Sequence, residues 1–112
     1  MVVGVLEVTL ILEGNHSFKD KRRVVKSLLG RVKARFNCSA SEVGAQNSHG
    51  LAVLGFTVCG SEQRILNSVL DRLLNFIEDN AEAEVAEAQK DTAVWSDTGD
   101  FEDHEPPAIG KD

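Results

Sequence analysis

Positive charge is concentrated in one short segment of the chain. Between Lys19 and Arg35 there are eight lysines and arginines and one acid, Asp20, a net charge of +7 within a protein of net charge −6. Clustered lysine and arginine bind phosphate oxygens through charge, counterion release and the paired hydrogen bonds of arginine. The alternative is a solvated helix face that keeps the protein soluble. The residues that we assign to a nucleic-acid contact are Lys19, Lys21, Arg22, Arg23, Lys26 and Lys33.

The turn before this segment has the residue types of an anion site. Asn15, His16 and Ser17 follow Gly14 and lead into a predicted helix, whose first N–H groups and dipole favour negative ligands. His16 could act as a general base, but a lone histidine in a loop is more often solvated. We therefore assign no catalytic residue and expect a protein that is not an enzyme.

The cysteines and histidines do not have the spacing of a metal site. Cys38 and Cys59 form no CxxC pair and the three histidines are scattered, so no metal or other cofactor is predicted. If residues 38–45 and 51–59 form a hairpin, the cysteines could lie nearly opposite each other, and a disulfide is conceivable. Two free thiols are the simpler interpretation. The sequence shows no secretory signal and no bilayer-length apolar stretch, which predicts a cytoplasmic protein without a membrane segment.

Hydrophobic periodicity predicts the elements that position these residues. Val2–Leu12 partly alternates, with its even-numbered leucines and valine on one face, and is a predicted strand. Ser17 stands three residues before Asp20, the spacing of a capping box, and Phe18–Phe36 follows helical period. Short strands at 38–45 and 51–59 flank a turn. The predicted apolar faces of the two helices are Val25, Leu28, Leu29, Val32 and Phe36 in the first, and Leu66, Val69, Leu70, Leu73 and Ile77 in the second, which Ser61 should cap.

The end of the chain allows two interpretations. The Ala/Glu-rich segment after Asn80 has helix propensity that could extend the second helix to about Lys90, but a fourth strand within residues 83–95 would close the sheet, and we predict the strand. The result is an α+β fold of the ferredoxin-like, split βαβ type, in the order βαββαβ, with two helices on one face of a four-stranded antiparallel sheet. This domain spans residues 1–95. Residues 96–112 form an acidic tail that we expect to be disordered.

The segment Ser17-Phe18-Lys19-Asp20-Lys21-Arg22 resembles the motif Ser-Leu-Lys-Glu-Lys-Arg of the YlxP-like family of bacterial proteins, a domain family of unknown function. Residues 37–43 and 62–78 are also similar to this family, so that the resemblance covers about residues 1–95. The resemblance implies a ferredoxin-like fold and a bacterial cytoplasmic protein that is often encoded beside translation-initiation and ribosome-maturation genes. Many relatives have Gln-Asp-x-Trp and a later basic residue in the central hairpin. This chain has His49 at the tryptophan position and lacks the later basic residue, so roles of those two residues do not transfer.

Together these features predict an accessory protein that associates with RNA or a ribosomal particle through its first helix. The strand aromatics are only Phe56 and Trp95, which disfavours base stacking on the sheet. One alternative is a protein-interaction or self-assembly module that uses the open sheet face, with Val5 and Ile11, or an edge strand. The other is a phosphate or small-molecule site at the turn 14–19. The acidic tail would either aid solubility or fold back onto the basic helix.

Overall fold

Six elements follow one another along the chain in a computed structural model of the protein, which describes residues 1–14, 17–96 and 98–101. They are β1 (Val2–Ile11), α1 (Phe18–Arg35), β2 (Ser39–Gly44), β3 (Leu51–Gly60), α2 (Gln63–Asn80) and β4 (Glu84–Val94). The strands form one antiparallel sheet in the order β2-β3-β1-β4, and both helices pack on the same face. The predicted α+β, split βαβ fold is confirmed.

The core lies between the sheet and the two helices. Even-numbered residues of β1 face the helices, as their alternation predicted, and Phe56 on β3 is fully buried beside them. The predicted apolar faces of both helices are confirmed, with Leu29, Phe36 and Val69 at their partly buried margins, and α1 adds Val24. The odd-numbered residues of β1 lie on the opposite face of the sheet, which no helix covers.

The starts of the two helices differ in how they are capped. The hydroxyl of Ser17 accepts a hydrogen bond of 3.1 Å from the N–H of Asp20, so the predicted cap of α1 is confirmed. The prediction that Ser61 caps α2 is wrong. Because β3 continues to Gly60, the helix begins later, and Glu62 is the N-cap residue, without a side-chain hydrogen bond.

Residues after Asn80 form the fourth strand and do not extend α2. The helix ends at Asn80, whose side-chain amide donates to the carbonyl of Phe76 at 2.8 Å, and Ala81 has an extended backbone. Glu84–Val94 then pairs with β1 along its whole length, with one irregularity between Thr9 and Leu10. Tertiary pairing with β1 thus overrides the local helix propensity of the Ala/Glu-rich segment.

The first residues after β4 have a defined conformation. Phe101 pairs with Trp95, and their rings meet edge to face with centroids 4.8 Å apart. The part of the predicted disordered tail nearest the domain, at Ser96 and 98–101, therefore turns back onto the sheet. Residues 102–112 lie outside the described residues, and their disorder stays a prediction.

Candidate nucleic-acid interface

The exposed face of α1 has a row of four positive charges, interrupted at Gly30. Lys19, Arg22, Lys26 and Lys33 lie at positions i, i+3, i+7 and i+14, on the side of the helix away from the buried residues. All four side chains are exposed, and none forms an ion pair with another residue in the described part of the chain. At 1.5 Å per residue the row extends over about 20 Å, enough to follow several phosphates of a strand.

The other arginines of α1 connect this helix to the end of α2. The guanidinium of Arg23 lies 3.2 Å from the carboxylate of Glu82, although both side chains remain exposed. Arg31 donates to the side chain and the carbonyl of Asn80 at 2.8 and 3.2 Å, and Arg35 lies over the ring of Phe76. Arg23 is therefore at the flank of the predicted interface, and its charge is partly balanced by Glu82.

Lys21 does not belong to the exposed basic surface. Only 3% of its area is accessible, which corrects its assignment to a nucleic-acid contact. Its Nζ donates to the carbonyls of Ala45 and Ser48 at 2.8 and 2.6 Å and lies 2.8 Å from Glu42 Oε2. With Val25, Leu28 and Val32, Lys21 follows the spacing i, i+4, i+7 and i+11 of the buried face. That spacing is the sequence signal that could have identified its structural role.

Lys21 fixes the loop between β2 and β3 against the start of α1. Ala45 has a left-handed backbone, with φ of 56°, and its carbonyl also accepts the N–H of Ser48 at 3.0 Å. Next to this contact the rings of Phe18 and His49 meet edge to face with centroids 5.7 Å apart. His49 is thus part of the packing between the hairpin loop and the helix.

The predicted anion turn is only partly described. Asn15 and His16 lie outside the described residues, and the proposed site at residues 14–19 stays a prediction for them. The hydroxyl of Ser17 is engaged in capping α1. The N–H of Asp20 is therefore already paired, whereas the O–H of Ser17 can still be donated to an anion.

The two cysteines are free and lie on different sides of the sheet. Ser39 pairs with Thr57, a register that sets Cys38 beside Val58 and not opposite Cys59. Cys38 packs against the core, while Cys59 is exposed. Burial raises the pKa of the Cys38 thiol, and the nearby charge of Lys33 opposes that shift. In the described residues no group of three or more His, Cys, Asp or Glu side chains is placed to hold a metal ion.

The open face of the sheet has the opposite charge to α1. Every charged side chain that the four strands place on this face is acidic, namely Glu7, Glu84, Glu87 and Asp91. The exposed aromatic pair Trp95 and Phe101 lies at one end of the same face, beside Asp91. Phosphates would be repelled there, so a strand of RNA is better accommodated by α1 than by the sheet. This acidic face was not predictable from local sequence patterns, because its residues come from β1 and β4, two strands that are distant in sequence.

Comparison with known proteins places the chain in a family. Residues 3–90 match the family described as "Protein of unknown function (DUF503)". The chain is also 34% identical, over 83 residues, to the "Uncharacterized protein YlxP" of Bacillus subtilis (strain 168), an alignment that covers 74% of this chain and 90% of the relative. Neither described helix is long and apolar enough to cross a membrane. The resemblance noted at residues 17–22 is thereby confirmed, and the chain belongs to the DUF503 family of YlxP-like proteins.

Proposed function

We propose that the protein is an accessory factor that binds the RNA backbone, in the context of a ribosomal particle, through the exposed face of α1. The observation that carries this proposal is the row of Lys19, Arg22, Lys26 and Lys33, whose charges are solvent-exposed and unpaired among the described residues. Four cations in a row on a rigid helix suit a chain of regularly spaced phosphates. RNA is chosen among polyanions because of the gene neighbourhood that the family resemblance implies.

The charge distribution also supports a defined orientation on the RNA. Since the whole chain has a net charge of −6, long-range attraction to a polyanion is weak, and the contact must act within about 10 Å at moderate salt. The acidic open face of the sheet would point away from the RNA. Recognition would then be of backbone and shape, because the row has no aromatic residue within it.

A salt titration with matched charge variants tests the proposal. We expect the logarithm of the affinity for a structured RNA to fall with the logarithm of salt concentration with a slope of about −3 to −4, as for about four phosphate contacts. Arg22→Glu with Lys26→Glu should weaken binding by about tenfold or more and reduce the slope by about 2. Arg64→Glu with Arg72→Glu, exposed on α2, changes the net charge equally and should have little effect.

Three results would refute the proposal. They are an absence of RNA binding at low salt, equal losses in the α1 and α2 variants, and a failure of the wild-type protein to sediment with ribosomal particles at a salt concentration where it binds RNA. The first two concern the RNA contact, and the third concerns the ribosomal context. Circular dichroism of both variants shows whether the fold is retained.

A protein-interaction surface is a second candidate function. The exposed apolar residues Val5, Val43 and Leu51 all lie on the open face of the sheet, where they are 41–52% accessible. Exposed apolar groups collected on one face are typical of a surface that contacts another protein.

A further inference from the structure

A groove crosses the open face of the sheet at Gly55 of β3, a residue without a side chain. Its volume is about 400 Å³, and its walls include Val5, Glu7, Val43 and Thr57 around Gly55. In the antiparallel register Gly55 is directly opposite Glu7 on β1 and Ser41 on β2. Val43 packs into part of the space left by the missing side chain, and beside it remains a depression with apolar groups on either side and a carboxylate at its edge.

The groove depends on glycine at this position. A Cβ atom on Gly55 would lie 2.9 Å from Cγ1 of Val43, so that even alanine would displace the valine that forms the wall. Val43 itself is 52% exposed, and Val5 on the other wall is 41% exposed. Two half-exposed valines around a cleft give an incoming apolar side chain surfaces to contact on both sides.

The acidic residues of this face restrict what can occupy the groove. Glu7 lies at its edge, and Glu87, paired with Thr9, lies on the neighbouring strand two residues from Gln89, the partner of Glu7. Since all charged side chains of the face are acidic, a second copy packed face to face would bring like charges together. An occupant with apolar and positively charged groups is complementary in both respects.

The chain already packs one apolar side chain against this face. Phe101 contacts the far end of the same sheet surface, in a cavity of about 120 Å³ that it lines together with Val3, Val5 and Ala93. This contact covers the end near Trp95, while the groove over Gly55 remains open. A sheet whose other face is covered by two helices can accept a further helix as a third layer.

We propose that the open face of the sheet, centred on the groove over Gly55, docks a basic amphipathic helix of a partner protein. An apolar stripe of that helix would fill the groove between Val5 and Val43, and its flanking lysines or arginines would pair with Glu7 and Glu87. This surface lies on the opposite side of the sheet from the helices. The protein could therefore hold a protein partner and a polyanion at the same time.

The test uses the full chain, labelled with ¹⁵N, and a defined helical peptide. The peptide has leucine at positions i, i+3, i+4 and i+7 with lysine between them. One control peptide has glutamate in place of lysine, and another is a scrambled peptide of the same composition. We expect amide shifts to change at Val5, Glu7, Val43 and Thr57. Glu7→Gln with Glu87→Gln should weaken binding by about five- to tenfold, as for two exposed ion pairs.

A matched variant and a size measurement make the outcome decisive. Glu78→Gln with Asp79→Asn removes the same charge from the exposed end of α2 and should leave the affinity unchanged. Four results would overturn the proposal. They are amide shift changes confined to the helices, a control peptide that binds as tightly as the basic peptide, an equal loss of peptide affinity in both double variants, and no binding of the basic peptide at low salt. A fifth is a concentration-dependent dimer, seen by light scattering and abolished by Val43→Asp, because the occupant would then be a second copy.

Discussion

Replacement of Lys21 by methionine should destabilise the protein although it removes a positive charge from a strongly basic helix. The ammonium group is buried and contacts the carbonyls of Ala45 and Ser48 and the carboxylate of Glu42. Methionine retains most of the volume of the aliphatic stem, so the packing against the core should change little. The effect of the substitution should therefore come from the three polar contacts.

The expected loss of stability follows from what each acceptor loses. The carbonyl of Ala45 keeps the N–H of Ser48, whereas Glu42 Oε2 is buried and, in the described part of the chain, has no donor near it besides the ammonium group of Lys21, 2.8 Å away. Breaking a fully buried ion pair costs about 3–5 kcal/mol. Because the Glu42 side chain is 27% accessible, solvent should reduce this penalty, and we expect about 2–3 kcal/mol. The melting temperature should then fall by about 10 °C.

Urea denaturation of a double-mutant cycle measures this effect. The double variant Lys21→Met with Glu42→Gln should lose at least about 1 kcal/mol less free energy of unfolding than the sum of the two single variants. The reason is that the double variant has no unpaired buried carboxylate. Lys26→Met, on the exposed face of the same helix, should stay within about 0.5 kcal/mol of the wild type. A Lys21→Met protein as stable as Lys26→Met, or a cycle with no coupling, would refute the structural role of Lys21.

Two further predictions concern the glycines and the thiols. Gly4→Ala should lower the free energy of unfolding by about 1–3 kcal/mol, because the added Cβ would lie 2.9 Å from Cγ2 of Val58 in the core. Gly30→Ala should raise it by about 0.5–1 kcal/mol, because an added Cβ there has no atom within 4 Å and alanine favours the helix. Urea denaturation tests this order, and the reverse order would contradict the packing. Alkylation followed by mass spectrometry should show Cys59 reacting before Cys38, because burial raises the pKa of the Cys38 thiol; equal rates would contradict this. Because the pKa of the Cys38 thiol is higher in the folded protein, this thiol stabilises the fold at pH values below its ordinary pKa. This contribution is lost as the pH rises through the pKa in the folded protein. Cys38→Ser should therefore make the loss of stability at alkaline pH less steep.

The fold was predictable because its elements have strong and consistent periodicity. The alternation in β1 and the helical spacing of Leu66, Leu70, Leu73 and Ile77 specify which faces are buried, and the structure agrees. The start of α2 was less predictable, since Ser61 is a good cap by type, yet β3 continues through Gly60. Local propensity at residues 81–90 favoured a helix, and the strand was predicted mainly because a fourth strand closes the edge of the sheet; the structure shows that it does so by pairing with β1.

The candidate site was predictable only where its residues are close in sequence. The exposed row on α1 is local and follows from helical spacing, whereas the role of Lys21 depends on Glu42 and on the hairpin loop, which the fold brings to it. The groove over Gly55 depends likewise on the register of β1, β2 and β3. A glycine within a strand pattern was the available signal, because such positions often allow a close approach of another group.

The motif at residues 17–22 combines two kinds of role, which explains how α1 can present its charges in a fixed position. Ser17 caps the helix and Lys21 joins its first turns to the hairpin loop, while Lys19 and Arg22 point outward between and beside them. A change at Lys21 should therefore disturb the proposed polyanion contact indirectly, through the position of the helix start. Changes at Arg22 should act on the contact directly and leave stability nearly unaltered. Measuring the free energy of unfolding and the RNA affinity of both variants therefore distinguishes the structural role of Lys21 from the contact role proposed for Arg22.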